Sequence, residues 1–300
     1  MKIIVRINGG IGNQLFQWIF AQNLALFFRV TPSYEISYYR PSSSRHIPRL
    51  PILIQLWPKL NTCDLNLVEL EQLAPHSINF RLNFLAQLWK MIKYFYFSIH
   101  YKSILFFKPP IKRKIRLLTK IPINYCYVGS WIDYKFLSQE IANKISERFS
   151  LLVPHIDTIR SIDFEQAVAV HIRRTDYLSQ SGPYYLLSVE YYLAALDLLI
   201  KEDKNPIIYI FTDDITWCKK NIQYKYSFRY INDEVINSSD LVEFILLSKF
   251  NNIVISNSTF SMLAALLNQS SSTKIIAPKD WYKGELGIKR PNMPSHWIII

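Results

Sequence analysis

The chain is predicted to fold as an α/β protein, two Rossmann-like halves facing a cleft, and three observations lead there. A β-rich run, a glycine turn and an apolar helical stretch open the sequence. Short β-rich runs alternate with helical stretches after residue 165, and strands separated by helices pair in parallel. Half of the 300 residues, 50%, are hydrophobic, enough to give two ordinary domains real cores. The halves are taken as 1–155 and 156–300, with the link inside 148–166.

Each element follows from its residues. KIIVRI at 2–7 supplies β-branched side chains for a first strand, GGIGNQ at 9–14 a flexible turn, and LFQWIFAQNLALFF at 15–28 an apolar helical pattern. Residues 34–70 are broken by PSSSR at 41–45 and by Pro48, Pro51 and Pro58, so they are expected to form loop with short elements. Beyond 165, AVAVHI, IIYIF, YSFRYI, NIVIS and KIIA read as strands. YYLAALDLLI, TWCKKNI and DLVEFILLSKF read as the helices between them.

Composition sets the boundaries of function. A chain with 19% charged residues and this hydrophobic content is neither disordered nor collagen-like. Thirty-five Lys and Arg against 23 Asp and Glu give +12, which implies an anionic partner: a phosphorylated ligand, lipid headgroups or nucleic acid. The stretch 72–132 holds ten Lys or Arg and no acid, including Lys112, Arg113, Lys114 and Arg116 among Trp, Tyr and Phe. That mixture suits peripheral contact with an anionic membrane surface. Three cysteines, Cys63, Cys126 and Cys218, have no metal-ligand spacing and suggest neither a disulfide framework nor a zinc site, so a reducing compartment is expected. Residues 7–28 carry no charge, but Asn8, Gln14, Gln17, Gln22 and Asn23 break any signal-like apolar run, and no 18-residue apolar run occurs. The expected location is cytoplasmic, peripheral on the inner face of the membrane.

Four places carry candidate chemistry. His171, Arg173, Arg174 and Asp176 sit at the carboxyl end of the strand AVAVHI, where open α/β sheets bind ligands. Adjacent guanidiniums can hold phosphate oxygens bidentately and neutralise a departing diphosphate. The plain alternative, an Arg–Asp176 ion pair, accounts for one Arg better than for two. In GGIGNQ, Gly10 and Gly12 would present backbone N–H groups at a helix N-terminus, and Asn13 and Gln14 add partners suited to a sugar. Leu15 stands where the dinucleotide fingerprint needs glycine, so a nicotinamide cofactor is not implied. Asp213 and Asp214 are read as a helix cap before a metal pair, since a hard cation needs convergent oxygens. Asn257, Ser258, Thr259 and Ser261 follow the strand NIVIS at the start of a helix, a seat for phosphate or an ordinary cap.

Taken in order, GGIGNQLFQ (9–17), YVGSWIDYKF (127–136), HIRRTDY (171–177), LSVEYYLAAL (187–196), FTDDITWCKKN (211–221), EFILLS through NSTFS (243–261) and KIIAPKDWY (274–282) resemble glycosyltransferase family 11, the bacterial α-1,2-fucosyltransferases. The resemblance covers the first 30 residues and nearly everything after 125, but not the basic middle. It implies a GT-B fold and inverting, metal-independent transfer of L-fucose from GDP-fucose to the 2-hydroxyl of a galactoside, in the synthesis of a surface polysaccharide or oligosaccharide antigen. GDP-fucose is then a co-substrate with no further cofactor, and the partner is a galactose-containing acceptor, lipid-linked acceptors included. By the same likeness Arg173 binds the β-phosphate with Arg174 in support, while His171 and Glu243 recognise guanine. The family usually has Asp at 243, and Asp240 is a possible stand-in. Gly10 and Gly12 join the donor set, with Ser258, Thr259 and Ser261 at the diphosphate and Asn13 and Gln14 on the fucose and acceptor side. Asp176 is the candidate base, with orientation of an Arg as its other reading. Met262 and Leu263 replace the family's usual tryptophan pair, which bears on the acceptor. A GT-B enzyme using another nucleotide sugar is the first alternative, and a basic nucleic-acid-binding protein the second, although no established nucleic-acid motif supports it.

Overall fold

A computed structural model describes residues 2–39, 51–65, 103–106, 124–152, 162–178, 183–200, 205–231, 239–283 and 290–300. It divides into two compact units, Met1–Trp131 and Ile132–Ile300. Both carry a parallel sheet, so the α/β class with two Rossmann-like halves is what the chain adopts.

In the first unit, β1 (Ile3–Arg6) is followed by α1 (Ile11–Phe28), β2 (Ser33–Glu35), α2 (Ile52–Leu56), β3 (Thr62–Cys63), β4 (Ser103–Phe106) and β5 (Asn124–Tyr127). The sheet order is β3-β2-β1-β5-β4, every pair parallel. The run IIVR is buried throughout, as a central strand covered on both faces requires. Gln17 closes the edge between β1 and β5: its Nε2 donates to Asn8 Oδ1 (2.5 Å) and Gly129 O (3.2 Å), and its Oε1 accepts from Asn8 N (2.9 Å). Trp131 adopts a left-handed φ of 52° and lays its indole on Phe20, ring centroids 4.3 Å apart. Of the basic stretch 72–132, the run Lys112–Arg116 lies outside the described residues.

The second unit runs α3 (Gln139–Leu152), β6 (Val168–Ile172), α4 (Val189–Leu199), β7 (Ile208–Thr212), α5 (Ile215–Asn221), β8 (Phe228–Tyr230), α6 (Asp240–Leu247), β9 (Asn252–Val254), α7 (Thr259–Leu267), β10 (Lys274–Ala277) and β11 (Ile298–Ile299). Its order, β11-β10-β9-β6-β7-β8, is again wholly parallel. All five predicted strands are present, and β11 is an addition. The β6 and β7 residues are buried without exception, and Val168, Val170, Ile208, Ile210 and Val254 meet Tyr192, Leu196 and Leu199 of α4 in one core. Strand order reverses between β6 and β9, and the carboxyl ends of those two strands therefore mark the place where an open α/β sheet holds its ligand.

Candidate functional site

At the end of β6 the chain leaves the sheet as Arg173 and Arg174 and turns through a short 3-10 helix, Thr175–Leu178. Asp213, just beyond β7, holds that turn: its carboxylate accepts from Arg174 N (2.9 Å), Thr175 N (3.2 Å) and Thr175 Oγ1 (2.5 Å). Its neighbour Asp214 faces its own helix, capping α5 by accepting from Trp217 N at 3.1 Å. The helix cap is thus realised by Asp214, while the Asp213 carboxylate is taken up by the arginine turn.

The adjacent arginines part company. Arg173 Nε donates to Asp176 Oδ1 at 2.8 Å and lies 3.2 Å from Asp213 Oδ2, with its side chain 38% exposed. Two carboxylates thus fix the guanidinium through one nitrogen, and among the described residues neither terminal amino group donates a hydrogen bond. Arg174 turns inward with its side chain 10% exposed; its guanidinium carbon sits 3.5 Å above the Trp217 ring, and Nε is 3.7 Å from Asp214 Oδ2. A weakly hydrated planar cation stacks on indole at modest desolvation cost. Arg173 is thus the partly exposed guanidinium at the strand end, and Arg174, expected in support of it, is built in behind it. Asp176, expected as a base or as an orienter of Arg, accepts from Arg173 Nε through Oδ1.

His171 is buried in β6. Its Nδ1 is 2.8 Å from Ser256 Oγ and its ring stacks on Phe260, centroids 5.1 Å apart. Burial, with the Arg173 charge nearby, pushes its pKa down to about 3, so the imidazole is neutral. Phe260 in turn meets Phe244 edge to face at 5.2 Å, tying the first turns of α6 and α7 together. Glu243 lies in that first turn of α6, whose cap is Ser239 accepting from Val242 N at 3.3 Å. A helix returning between parallel strands starts at their carboxyl edge, so Glu243 and Asp240 belong to the same rim as Arg173.

The residues after β9 divide as well. Ser258 caps α7, accepting from Phe260 N at 3.3 Å, and Thr259 opens the helix, half-buried. Ser261 is fully buried, with its hydroxyl donating to Ser256 O and Ser258 O, both at 3.3 Å. Asn257 is buried too: Nδ2 donates to Tyr185 O (2.6 Å) and Trp281 O (3.0 Å), and its carbonyl accepts from Tyr177 OH (2.9 Å). Ser261 and Asn257, expected at the donor, thus serve the protein's own backbone, whereas Ser258 and Thr259 stand at the positive end of a nine-residue helix.

The glycine-turn residues gather in the first unit. Gly9 has φ +74°, the left-handed region that a turn of this sharpness needs, and its carbonyl accepts from Gln14 Nε2 (3.0 Å) and Tyr39 OH (2.7 Å). Gly10 is the exposed N-cap of α1, lacks a side chain to close it, and leaves early helical N–H groups available beside the buried Gly12. Gln14 is buried, accepting from Leu53 N at 3.4 Å, and so braces the turn rather than facing a ligand. Asn13 keeps a half-buried side chain with no hydrogen bond among the described residues.

Sequence reasoning misses three things here: Asp213 as the clamp of the arginine turn, Trp217 as the seat of Arg174, and the tyrosines at 177, 184 and 282. The aromatic pairs in GPYY and DWY are the signal for Tyr184 and Tyr282. Among the described residues no group of three His, Cys, Asp or Glu is placed to hold a metal ion, and no helix is long and apolar enough to cross a membrane.

The profile of Glycosyl transferase family 11 matches residues 2–300. The chain is 28% identical over 190 residues to an α-1,2-colitosyltransferase of Escherichia coli, covering 58% of this chain and 62% of that protein. It is 28% identical over 119 residues to the O-antigen biosynthesis glycosyltransferase WbnK of Escherichia coli, covering 39% of each. To the galactoside 2-alpha-L-fucosyltransferase SEC1 of Bos taurus it is 27% identical over 154 residues, 49% of this chain and 42% of that one. The chain thus spans at most 62% of the length of these relatives. Among solved structures, a mutant of Arabidopsis thaliana FUT1 in complex with GDP superposes with TM-score 0.46 at 12% identity, covering 92% of this chain and 70% of that one. A NodZ alpha-1,6-fucosyltransferase co-crystallized with GDP gives 0.43 at 13%, covering 89% and 92%.

Proposed function

From the premise that this chain belongs to glycosyl transferase family 11, we propose that it is an inverting α-1,2-fucosyltransferase, moving L-fucose from GDP-fucose to the 2-hydroxyl of a galactoside in glycan synthesis. The observation that carries the reading is Arg173: a guanidinium at the strand-order reversal, fixed through Nε by Asp176 and Asp213, with its terminal donors uncommitted. Such a fork suits a diphosphate, and the N-terminus of α7 at Ser258 and Thr259 supplies a second positive element on the neighbouring strand.

In the proposed step the acceptor hydroxyl attacks C1 of fucose from the face opposite the phosphate. The C1–O bond to GDP breaks, a new C1–O bond forms, the hydroxyl proton passes to solvent water, and the charge gained by GDP is met by Arg173. A donor already aligned before charge develops needs no reorganisation at the moment of reaction, which is why fixing Nε matters. Glu243 is assigned to guanine N1–H and N2–H, which one carboxylate can accept together. His171, neutral and held by Ser256 and Phe260, supports that wall from behind. Arg174 and Trp217 hold the turn that carries Arg173.

The similarity to an α-1,2-colitosyltransferase favours a second reading in which colitose replaces fucose as the transferred sugar. Isothermal calorimetry with GDP, UDP and ADP tests the nucleotide assignment. GDP is expected to bind at least about tenfold more tightly, the cost of leaving a buried acceptor without its donors. Equal affinity for UDP would remove the basis for a GDP-linked donor.

A further inference from the structure

Beside Arg173 the second unit carries an aromatic surface that none of the roles above uses. Segments 183–185 and 281–283 lie against each other: Tyr185 N donates to Trp281 O at 3.1 Å, Lys283 N donates to Pro183 O at 2.7 Å, and Tyr184 pairs antiparallel with Tyr282. Asn257, at the end of β9, pins both segments through Nδ2. Tyr184 and Tyr282 are thereby held as neighbours, ring centroids 5.8 Å apart. Tyr177 backs Tyr184 in a parallel stack at 4.6 Å, and its own hydroxyl is tied to Asn257 O. Tyr177 belongs to the turn that begins at Arg173, and the charges of Asp176 and Arg173 are felt at the Tyr184 hydroxyl.

Two features point outward. Both Tyr184 and Tyr282 are half-buried, so each keeps part of a ring for a ligand, and neither hydroxyl has a hydrogen-bond partner among the described residues. Burial without such a partner raises both pKa values, that of Tyr282 to about 12, so each stays a neutral phenol able to donate and accept at neutral pH.

We propose that Tyr184 and Tyr282 form a ledge that takes the C–H face of a pyranose ring beside Arg173. The inference rests on the sugar-nucleotide reading above and names the part of the site that meets the sugar. A pyranose of galacto configuration carries its 4-hydroxyl axial, which leaves the C–H groups of carbons 3, 4 and 5 together on one face. Polarised C–H groups meet the negative face of an aromatic ring favourably, and the two phenols reach the hydroxyls at the ring edge. L-Fucose and galactose share this configuration, so the pyranose is either the donor's sugar or the acceptor's terminal residue.

Saturation-transfer NMR with methyl α-L-fucopyranoside and methyl β-D-galactopyranoside in the presence of GDP tests the ledge, with GDP affinity and melting temperature measured alongside. The wild type should give its strongest enhancements at H3–H5. Either Tyr184→Leu or Tyr282→Leu should weaken sugar binding by about tenfold, Tyr→Phe at the same positions by less, and GDP affinity should hold within about twofold. Specific 13C labelling of tyrosine in the wild type gives a readout that no misfolded variant can confuse: two tyrosine signals should shift on adding the pyranoside. Unchanged sugar enhancements in folded leucine variants, or no tyrosine shift, overturns the ledge. So does a loss of GDP affinity with sugar contact retained, which would make the rings a purine stack. In turnover assays, a raised KM for GDP-fucose assigns the ledge to the donor's sugar, and a raised acceptor KM assigns it to the acceptor. Tyrosine-dependent sugar contact in a wild type that transfers no fucose would reject the fucosyltransferase reading and keep the ledge; normal KM values in both leucine variants would do the reverse.

Discussion

Arg173 and Arg174 are neighbours in the chain and opposites in the fold. A strand sends successive side chains to opposite sides, and at the end of β6 that alternation leaves one guanidinium at the rim and puts the other under Trp217. Arg173→Ala should therefore lower turnover at saturating donor by about a hundredfold or more, the usual effect of removing a donor aimed at developing charge. Arg173→Lys should recover only part of it, because an ammonium lacks the fork; near-wild-type turnover in the alanine variant would contradict the assignment. His171 makes a prediction about pH. Its pKa is about 3 in the fold against roughly 6.5 in an unfolded chain. Between those values the unfolded state binds a proton that the folded state does not, so this residue costs stability as pH falls below the upper value and contributes nothing above it. Denaturant melts of wild type and His171→Gln from about pH 4 to 7 should show the steeper acid loss in the wild type, and parallel curves would contradict it. Position along the sequence is enough to single out Arg173 and Ser258, since each follows a strand that ends at the ligand edge. It is not enough for Asp213, whose role arises when it closes on Arg174 and Thr175 at separations of 39 and 38 residues, nor for Tyr184 and Tyr282, whose segments are joined at Asn257 across 72 and 24 residues.

The elements tell a similar story. The strands of the second unit are legible because they are short, β-branched and buried on both faces, which leaves no competing helical period. β5 is not, because NYCY lies at the end of a stretch dominated by cations, and β11 is not, because only Ile298 and Ile299 pair. Helix α3 buries Ile141, Ala142, Ile145 and Phe149 on one face, a helical period that strand–helix alternation alone does not demand. The turn after β5 shows how a motif acquires its residues. A Cβ at Gly129 would come within 3.0 Å of Trp131 Cε2 and Cζ2, and that indole cannot retreat without leaving Phe20. Gly129→Ala should therefore cost about 1–3 kcal/mol by overpacking, read as a lower denaturation midpoint, and an unchanged midpoint would mean that Trp131 moves freely.

For the whole molecule, each half supplies one helix start at the carboxyl edge of a parallel sheet, the exposed Gly10 on α1 and the buried Ser258 on α7. They are not equivalent. The first is built from glycine and amide groups, with Tyr39 and Gln14 holding the turn by one carbonyl, which fits hydroxyl-rich ligands. The second is framed by Arg173, Glu243 and a neutral histidine, which fits a charged nucleotide. That division matches the proposed function, in which the donor's nucleotide and the acceptor's hydroxyls are met by different elements. Its most direct test is to incubate the purified protein with GDP-fucose and a panel of β-galactosides in EDTA, scoring fucosylated product and free GDP together. An α-1,2-linked product with stoichiometric GDP is expected under chelation. Absence of both turnover and GDP binding in the folded protein would overturn the proposed function.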